Sequence, residues 1–458
     1  MKLDDFKIFQ NGKLKDALRL INQNKSGIIF VTDAQDRVIG VATDGDIRRK
    51  LLDGFDLQSS IEDICNKDFV SHKISTSREI LIKELDTKVN VIPLVDDEGR
   101  LQDVISRDNF PIIKEETVYS QARAPVRVSF GGGGSDLTQY FDKNVGAVIN
   151  TTITLYSHVT LKKRKDHKIN IHSKDLEESI NLANLNEISD LDGSFGLINS
   201  LIKLIDPNFG FDLYIYSDFP MKSGLGGSAT VLSAILGAFN EFKQDPWDSH
   251  EIAEIAFQAE RLYLGIAGGW QDQYASVFGG FNFLEFKKDQ NIVHPLRVQK
   301  DTLLQLEESL ILINTGLIHE SGEIHIDQKK QMKSSEVENL INQNVELCYE
   351  MRNQLLRGNL DDFGRSLNAA WEAKRQFSKR ISSPKIDAIY SEAIDNGAVG
   401  GKLLGAGGGG FFIFYVPSED RFKLIDHFKS QDITPTNFQF DKDGLRSWKV
   451  REPNTDDR

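Results

Sequence analysis

The hydrophobic pattern changes period repeatedly along this 458-residue chain, and each change predicts an element. Ala17-Leu18-Arg19-Leu20-Ile21 has helical spacing and leads to Ile28-Ile29-Phe30-Val31, an apolar run of strand length. Ile80-Leu81-Ile82 leads in the same way to Val91-Ile92-Pro93-Leu94-Val95. Further on, Phe211 to Ser217 reads as a strand. Val231 to Phe242 reads as a helix, with apolar side chains at Val231, Leu232, Ile235, Leu236, Phe239 and Phe242. The longest apolar run, Phe411 to Val416, is strand-sized, far short of the ~20 residues that cross a membrane. Residues 111–122 have few apolar pairs and no period, and read as a linker.

The first quarter is an internal repeat of one helix–strand–strand unit. After the first strand come Asp33, Arg37 and Thr43-Asp44-Gly45-Asp46; after the second come Asp97, Arg100 and Ser106-Arg107-Asp108-Asn109. Thr43 maps to Ser106 and Asp46 to Asn109, each 63 residues later. A carboxylate accepts two hydroxyl protons better than an amide oxygen does, so the first copy is the better place for a hydroxyl-bearing ligand. The alternative is a folded dimerisation module without a ligand.

Pro220-Met221-Lys222-Ser223-Gly224-Leu225-Gly226-Gly227-Ser228-Ala229-Thr230 lies where a strand hands over to a helix. Glycines there let a ligand approach the main chain, and the free N–H groups of the helix start favour an anion. This is a phosphate cradle. It is not a P-loop, which needs Lys then Ser or Thr after its last glycine. It fits the dinucleotide fingerprint only loosely, because Glu241 and Asp245 fall at a helix end and not after a second strand.

Three further clusters carry candidate chemistry. Arg123-Ala-Pro-Val-Arg127 begins a strand that ends in Gly131-Gly132-Gly133-Gly134-Ser135-Asp136, where a sugar can lie on bare backbone beside a hydroxyl acceptor. A helix with Glu260 runs into Gly268-Gly269-Trp270-Gln271-Asp272-Gln273. Two acids suit phosphoryl transfer, one on a metal and one near the attacking oxygen. Gly401-Lys402-Leu-Leu-Gly405-Ala-Gly407-Gly408-Gly-Gly410 precedes the last apolar strand, either as a second loop over the phosphates or as a plain turn.

Bulk composition narrows the partners. The net charge of −13 argues against nucleic acid. Two distant cysteines, Cys65 and Cys348, suggest a reducing compartment. The opening Met-Lys-Leu-Asp-Asp is too acidic for a signal peptide, so a cytoplasmic location is expected and no membrane partner. His319 and His325 lack metal-ligand spacing and read as structural or peripheral, and Lys162-Lys163-Arg164-Lys165 reads as a charged hairpin tip.

These motifs support two resemblances. Residues 1–115 resemble a CBS-domain pair (a Bateman module), and Gly40 to Arg49 is similar to the pairs attached to sugar-phosphate nucleotidyltransferases. Residues 123–416 resemble the GHMP kinases, whose cradle reads Pro-x-x-x-Gly-Leu-Gly-Ser-Ser-Ala. The glycine–tryptophan motif, Phe278 to Phe286 and Trp371 to Pro384 are similar to kinases of D-glycero-D-manno-heptose 7-phosphate. The fold this implies is α+β and two-lobed, with a ribosomal-protein-like N lobe over 120–310 and a ferredoxin-like C lobe over 311–458, preceded by the α/β CBS pair. Two departures stand out: Gly227 where the family has Ser, and Ser135 where Thr is usual.

The resemblance implies roles residue by residue. ATP and Mg²⁺ are the implied cofactors. Ser223, Gly224, Leu225, Gly226, Gly227, Ser228 and Ala229, with Gly407 and Gly408, would hold the nucleotide. Ser228 and Glu260 would hold the metal. Asp272 would take the proton of the attacking hydroxyl, and Arg127 would stabilise transition-state charge. Gly133, Asp136, Arg375 and Lys402 would bind the sugar phosphate; by their charge alone Lys374, Arg375, Lys379 and Arg380 are candidates for its phosphate, with a solvated helix face as the alternative. Thr43 and Asp46 would bind a regulatory adenine or guanine nucleotide, and the CBS pair would support a homodimer. The implied activity is an ATP-dependent sugar-phosphate 1-kinase making heptose 1,7-bisphosphate. The alternatives are a fucokinase-like kinase of a neutral sugar and a non-catalytic nucleotide sensor.

Overall fold

The structure is a computed structural model, and it describes residues 3–87, 89–110, 119–188, 193–317, 321–331 and 334–450. Two compact units divide the chain, Met1–Glu115 and Glu116–Arg458.

The first unit is built twice from one plan. In the first copy β1 (Lys7–Phe9) leads through α1 (Leu14–Asn24) to β2 (Ile28–Thr32), then β3 (Val38–Thr43) and α2 (Asp44–Leu52). The second copy is β4 (His72–Lys73), α3 (Arg78–Thr87), β5 (Val91–Val95) and β6 (Leu101–Ser106). In each, the first two strands are parallel and the last two antiparallel. The register slips at Val31/Thr32 and again at Leu94/Val95, one repeat apart. Asp33 accepts the Arg37 backbone N–H (2.9 Å) and its Nε–H (2.7 Å); Asp96 does the same for Arg100 (2.8 Å each). The match to Asp33 is therefore Asp96. Asp97, expected in that role, instead pairs with Lys73 on the surface. The two turns meet at an antiparallel bridge between Arg37 and Arg100.

The second unit is organised by two long strands. β7 (Tyr119–Gly131) is followed by the short α4 (Thr138–Phe141) and by β8 (Gly146–Lys163). Next come β9 (Ile169–Ser173), β10 (Glu178–Leu182), α5 (Gly196–Ile205), β11 (Phe211–Ser217), α6 (Gly227–Asn240), α7 (Ser249–Phe257), α8 (Gln271–Phe278), β12 (Phe281–Phe286) and β13 (Asn291–Pro295). β7 covers one edge of β8. The other edge is shared: β12 takes Gly146–Thr151 and β11 takes Ser157–Lys163. The helix expected over Val231 to Phe242 begins earlier, at Gly227, with Gly226 as its N-cap, and packs on β7 and β8. β9 pairs with β11 and not with β8, so Lys162 to Lys165 is no hairpin tip. It is a crossover turn, and Arg164 fixes it on Asp166 and Asp212.

A second, smaller sheet follows. α9 (Lys300–Ser309) leads to β14 (Leu310–Asn314), then come α10 (Ser321–Gln331), α11 (Ser335–Arg357), α12 (Leu360–Lys374), α13 (Pro384–Asp395), β15 (Gly400–Leu403), β16 (Phe411–Tyr415) and α14 (Ser418–Lys429). The strands run antiparallel in the order β14-β16-β15. Leu360, Phe363, Leu367, Ala370, Trp371 and Lys374 form the buried stripe of α12, at the three- and four-residue spacing of a helix face. Phe363 meets Phe130 of β7 edge-on at 5.1 Å, which ties α12 to the large sheet.

Two expected boundaries shift. β17 (Phe440–Asp441) and β18 (Arg446–Val450) return to the large sheet, on β8 and β7, so the C lobe expected over 311–458 shares its last strands with the N lobe. Of the expected linker, residues 111–118 lie outside the described residues. Tyr119 to Ala122 is strand, because Ser120 is buried and donates to the Ala238 carbonyl at 2.8 Å. His319 also lies outside the described residues, and of His325 only the backbone is described.

Trp371 is fully buried against Phe412 and Tyr390. Trp371→Ala should lower the unfolding free energy of the second unit by about 3–5 kcal/mol, read as a fall in the urea midpoint.

Candidate active site

The cradle is built at the start of α6. Gly224 and Gly226 have φ of +75° and +80°, the left-handed region where a side chain is strained. The Gly226 carbonyl accepts the first helical bond, from the Thr230 N–H (3.1 Å). The N–H groups of Gly227, Ser228 and Ala229 stand ahead of that bond and face a cavity of about 360 Å³. Gly227 has a local cause: a Cβ there would lie 2.7 Å from the Phe219 ring. Ser135, the other departure, accepts the Ala147 N–H (3.1 Å) and so holds the glycine turn after β7.

A second glycine loop meets the first. Gly405 has φ +71°, and a Cβ on it would lie 2.6 Å from the Gly224 Cα. The Phe411 N–H donates to the Ser223 carbonyl (3.1 Å) in the same seam. Gly405 and Ala406 line the cavity.

Below the cradle, Arg127 of β7 is 3% exposed and fixes Asp272 of α8. Its Nε and Nη2 both reach Asp272 Oδ1, at 2.9 and 2.8 Å, and its Nη1 donates to the Gly224 carbonyl. Gly226 lies over this pair, with its Cβ position 3.3 Å from the Asp272 carboxyl carbon. Trp270 stacks on Phe257 at 3.6 Å, and its backbone N–H donates to the Asp136 carbonyl, which sets the start of α8.

Glu260 lies on a π-helical turn, Gln258–Tyr263, a form of helix often found at functional sites. Burial pushes its carboxyl up from the ordinary range, against the pull of Arg261. Gln273 Nε2 donates to it at 2.8 Å, and Ser228 bonds it from the cradle. The Oε1 of Gln273 is buried without a partner. A hydroxyl, a carboxylate and an idle amide oxygen are the hard donors that Mg²⁺ takes, so these residues fit that ion.

A second, smaller pocket of about 20 Å³ adjoins the first and shares Arg127, Asp272, Gly405 and Ala406 with it. Its own walls are Gly133, Gly134, Asp136, Gly269, Gln271, Gln328 and Lys374. Asp136 accepts the N–H groups of Gly134 (3.1 Å) and Gln271 (3.3 Å). Burial, then the charge of Asp272, raises its carboxyl above the usual range.

Comparison with known proteins matches this geometry to a family. The model for the GHMP kinases N terminal domain matches residues 195–280, and that for the GHMP kinases C terminal domain matches 351–431. The D-glycero-alpha-D-manno-heptose 7-phosphate kinase of Campylobacter jejuni is 37% identical over 339 residues, 72% of this chain and 99% of that protein. The chain belongs to the GHMP kinases. A crystal structure described as a D-glycero-D-manno-heptose 1-phosphate kinase from Bacteroides thetaiotaomicron has a TM-score of 0.61 and 29% identity, covering 73% of this chain and all of that one. A putative sugar kinase from Campylobacter jejuni has a TM-score of 0.60 and 34% identity, covering 74% of this chain and all of that one. The CBS domain model matches residues 4–53, the first copy of the repeat.

Other expected residues of the kinase lie elsewhere. Gly407 and Gly408 face Ile381, which accepts the Gly408 N–H at 2.8 Å; the neighbouring Gly405 and Ala406 reach the cavity instead. The Leu225 side chain is buried in the core. Arg375 is committed to Glu372 and Asp387. Lys379 and Arg380 are exposed, whereas Lys374 lines the second pocket. Lys402 is buried behind the site and donates to the Ser129 carbonyl at 2.7 Å. In the CBS unit, Thr43 and Asp46 bond each other as a reciprocal cap on α2.

Several lining residues have no signal in the sequence. Asp175, Leu197, Ile198 and Ser217 come together in the first cavity only because β9, α5 and β11 converge there. Lys374 did carry one: it continues the apolar stripe of α12.

Gly405→Ala should push the two loops apart. Strain of 1–2 kcal/mol corresponds to a rise in the KM for ATP of roughly 5- to 30-fold with an unchanged circular dichroism spectrum.

Proposed function

We propose that the protein transfers the γ-phosphoryl group of ATP to the anomeric hydroxyl of D-glycero-D-manno-heptose 7-phosphate, giving the 1,7-bisphosphate. The observation that carries this reading is Asp272, held by Arg127 on the boundary between the nucleotide-sized cavity and the Asp136 pocket. The identity to the Campylobacter heptose 7-phosphate kinase supports the choice of sugar.

The chemistry follows from what each residue offers. Both Arg127 contacts fall on Asp272 Oδ1, which leaves Oδ2 for the sugar hydroxyl. An anomeric hydroxyl is more acidic than an ordinary alcohol, so a carboxylate suffices as its proton acceptor. The sugar oxygen then bonds to the γ-phosphorus as the bond to the ADP oxygen breaks. Arg127 and the backbone N–H groups of the cradle face the charge that builds up. Mg²⁺, held by Ser228 and Glu260, would neutralise phosphate charge. Asp136 would orient the ring through its hydroxyls.

We also propose that the CBS pair binds an adenine or guanine nucleotide through Thr43 and Asp46. The motivation is a Thr-x-x-Asp element, capped and half-exposed, in a unit without a catalytic constellation.

A screen of heptose, hexose and pentose phosphates for sugar-dependent ADP release tests the main reading. Heptose 7-phosphate should give the highest kcat/KM, and a neutral sugar as the best acceptor would overturn it. In that assay Asp272→Asn should bind ATP normally and lose about 10²–10⁴-fold in kcat. For the CBS pair, calorimetry of the full chain should find a nucleotide site beyond the kinase cavity that is lost in Asp46→Ala.

A further inference from the structure

The phosphoryl group has to cross from the first cavity to the second, and the crossing is lined by Arg127, Asp272, Gly405 and Ala406. One cation beyond Arg127 faces it from the small sheet's side. Lys374, at the end of α12, is 4% exposed and lines the second pocket. Its Nζ donates to the Gly405 carbonyl. Gly405 is the residue whose backbone touches Gly224 of the cradle, so this ammonium is anchored at the seam itself. A lysine carries three donors, and Gly405 uses one. Gln271 Oε1, on the wall of the same pocket, is buried without a partner. Both groups face a space that a ligand would complete.

The charges around Lys374 say which part of a ligand it would meet. Burial, and then repulsion from Arg127, pulls its ammonium down to about 8; Asp136 and Asp272 act more weakly in the other direction. Two cations close enough to repel, with the acids beside them among the described residues, Asp272 and Asp136, engaged by Arg127 and by backbone N–H groups, mark a place made for an anion. The far end of the sugar would lie away from Arg127. The group beside both Arg127 and Asp272 is the one being transferred.

We propose that Lys374 is a catalytic residue, a second cation beside Arg127 that binds the phosphoryl group as it passes into the acceptor pocket. This rests on the phosphoryl-transfer reading above. The sugar oxygen–phosphorus bond forms as the bond to the ADP oxygen breaks, and the sugar proton goes to Asp272. Lys374 stays protonated throughout and donates to a phosphoryl oxygen.

The test uses the full chain and whichever acceptor, phosphorylated or neutral, gives the wild type its highest kcat/KM. A wrong choice of sugar would thus show in the acceptor screen and leave this test intact. Lys374→Met should lower kcat by about 10²–10³-fold, as expected for one lost electrostatic stabiliser, with the sugar KM within about threefold and the ATP Kd unchanged. Lys374→Arg should keep kcat within about tenfold of wild type. Among the described residues, the charged groups facing Lys374 are Arg127 on β7, Asp136 in the turn after it, Asp272 on α8 and Lys402 on β15. Since the protonated form acts, wild-type kcat/KM should fall as pH rises through about 8, and Lys374→Arg should remove that limb. A tenfold or greater rise in sugar KM at unchanged kcat in Lys374→Met would overturn the proposal and make Lys374 a holder of the sugar. Equal losses in the Met and Arg variants would also overturn it. Should the Met variant fail to fold, the pH profile of Lys374→Arg decides, and an alkaline limb retained there would count against the proposal.

Discussion

Two stretches of backbone, Gly224 and Gly405, touch each other without a side chain between them. Each comes from a different sheet's connection, one from the turn after β11 and the other from the turn between β15 and β16. The contact requires positive φ on both sides and leaves no room for a Cβ. It joins a loop of the large sheet to a loop of the small one, and the arginine, the aspartate and the buried lysine all converge on it. Arg127 bonds the carbonyl of Gly224 and Lys374 bonds that of Gly405. The two loops are thus held from beneath by cations, and those cations are brought close by the loops they hold.

Such an arrangement is costly before a ligand arrives. Asp136 and Glu260 are buried acids whose carboxyls are raised, and Lys374 is a buried base whose ammonium is lowered. Each shift records a charge kept from water without a full partner. Buried packing along α12 backs Lys374: Phe363 meets Phe130 of β7, and Trp371 is fully buried one turn before the lysine. Pockets that are electrostatically incomplete when empty bind charged substrates strongly because the ligand supplies what is missing.

Local features were legible in the sequence and convergent ones were not. The strand Phe211 to Ser217 stands where its apolar alternation placed it, and the 63-residue repeat holds down to its bulges. Motif glycines near Asp272 and Asp136 lie at the two pockets because glycine is demanded by local backbone shape, which sequence records directly. Arg375 and Lys374 show the limit. They are adjacent and chemically alike, and only the helical phase of α12 turns one to salt bridges and the other to the pocket. The resemblance implies Gly407 and Gly408 as nucleotide contacts, yet the run of glycines spans more loop than the cavity uses, and Gly405 and Ala406 line it. The return of β17 and β18 to the large sheet had no local signal, since a five-residue edge strand carries little pattern of its own.

That return has a consequence for how the chain is made. β7 opens the kinase unit, yet Tyr119–Arg123 at its start is paired along one edge by β18; Trp448 bonds Gln121 across a separation of 327 residues. During synthesis at roughly 5–20 residues per second, the strand would wait about 15–65 s for its neighbour. For that interval an uncovered strand edge is open to foreign pairing. The repeat unit ahead of it faces no such delay, because its pairings span a few dozen residues. The ribosome therefore completes the small unit before the kinase unit, whose sheet stays unsealed until β18 emerges.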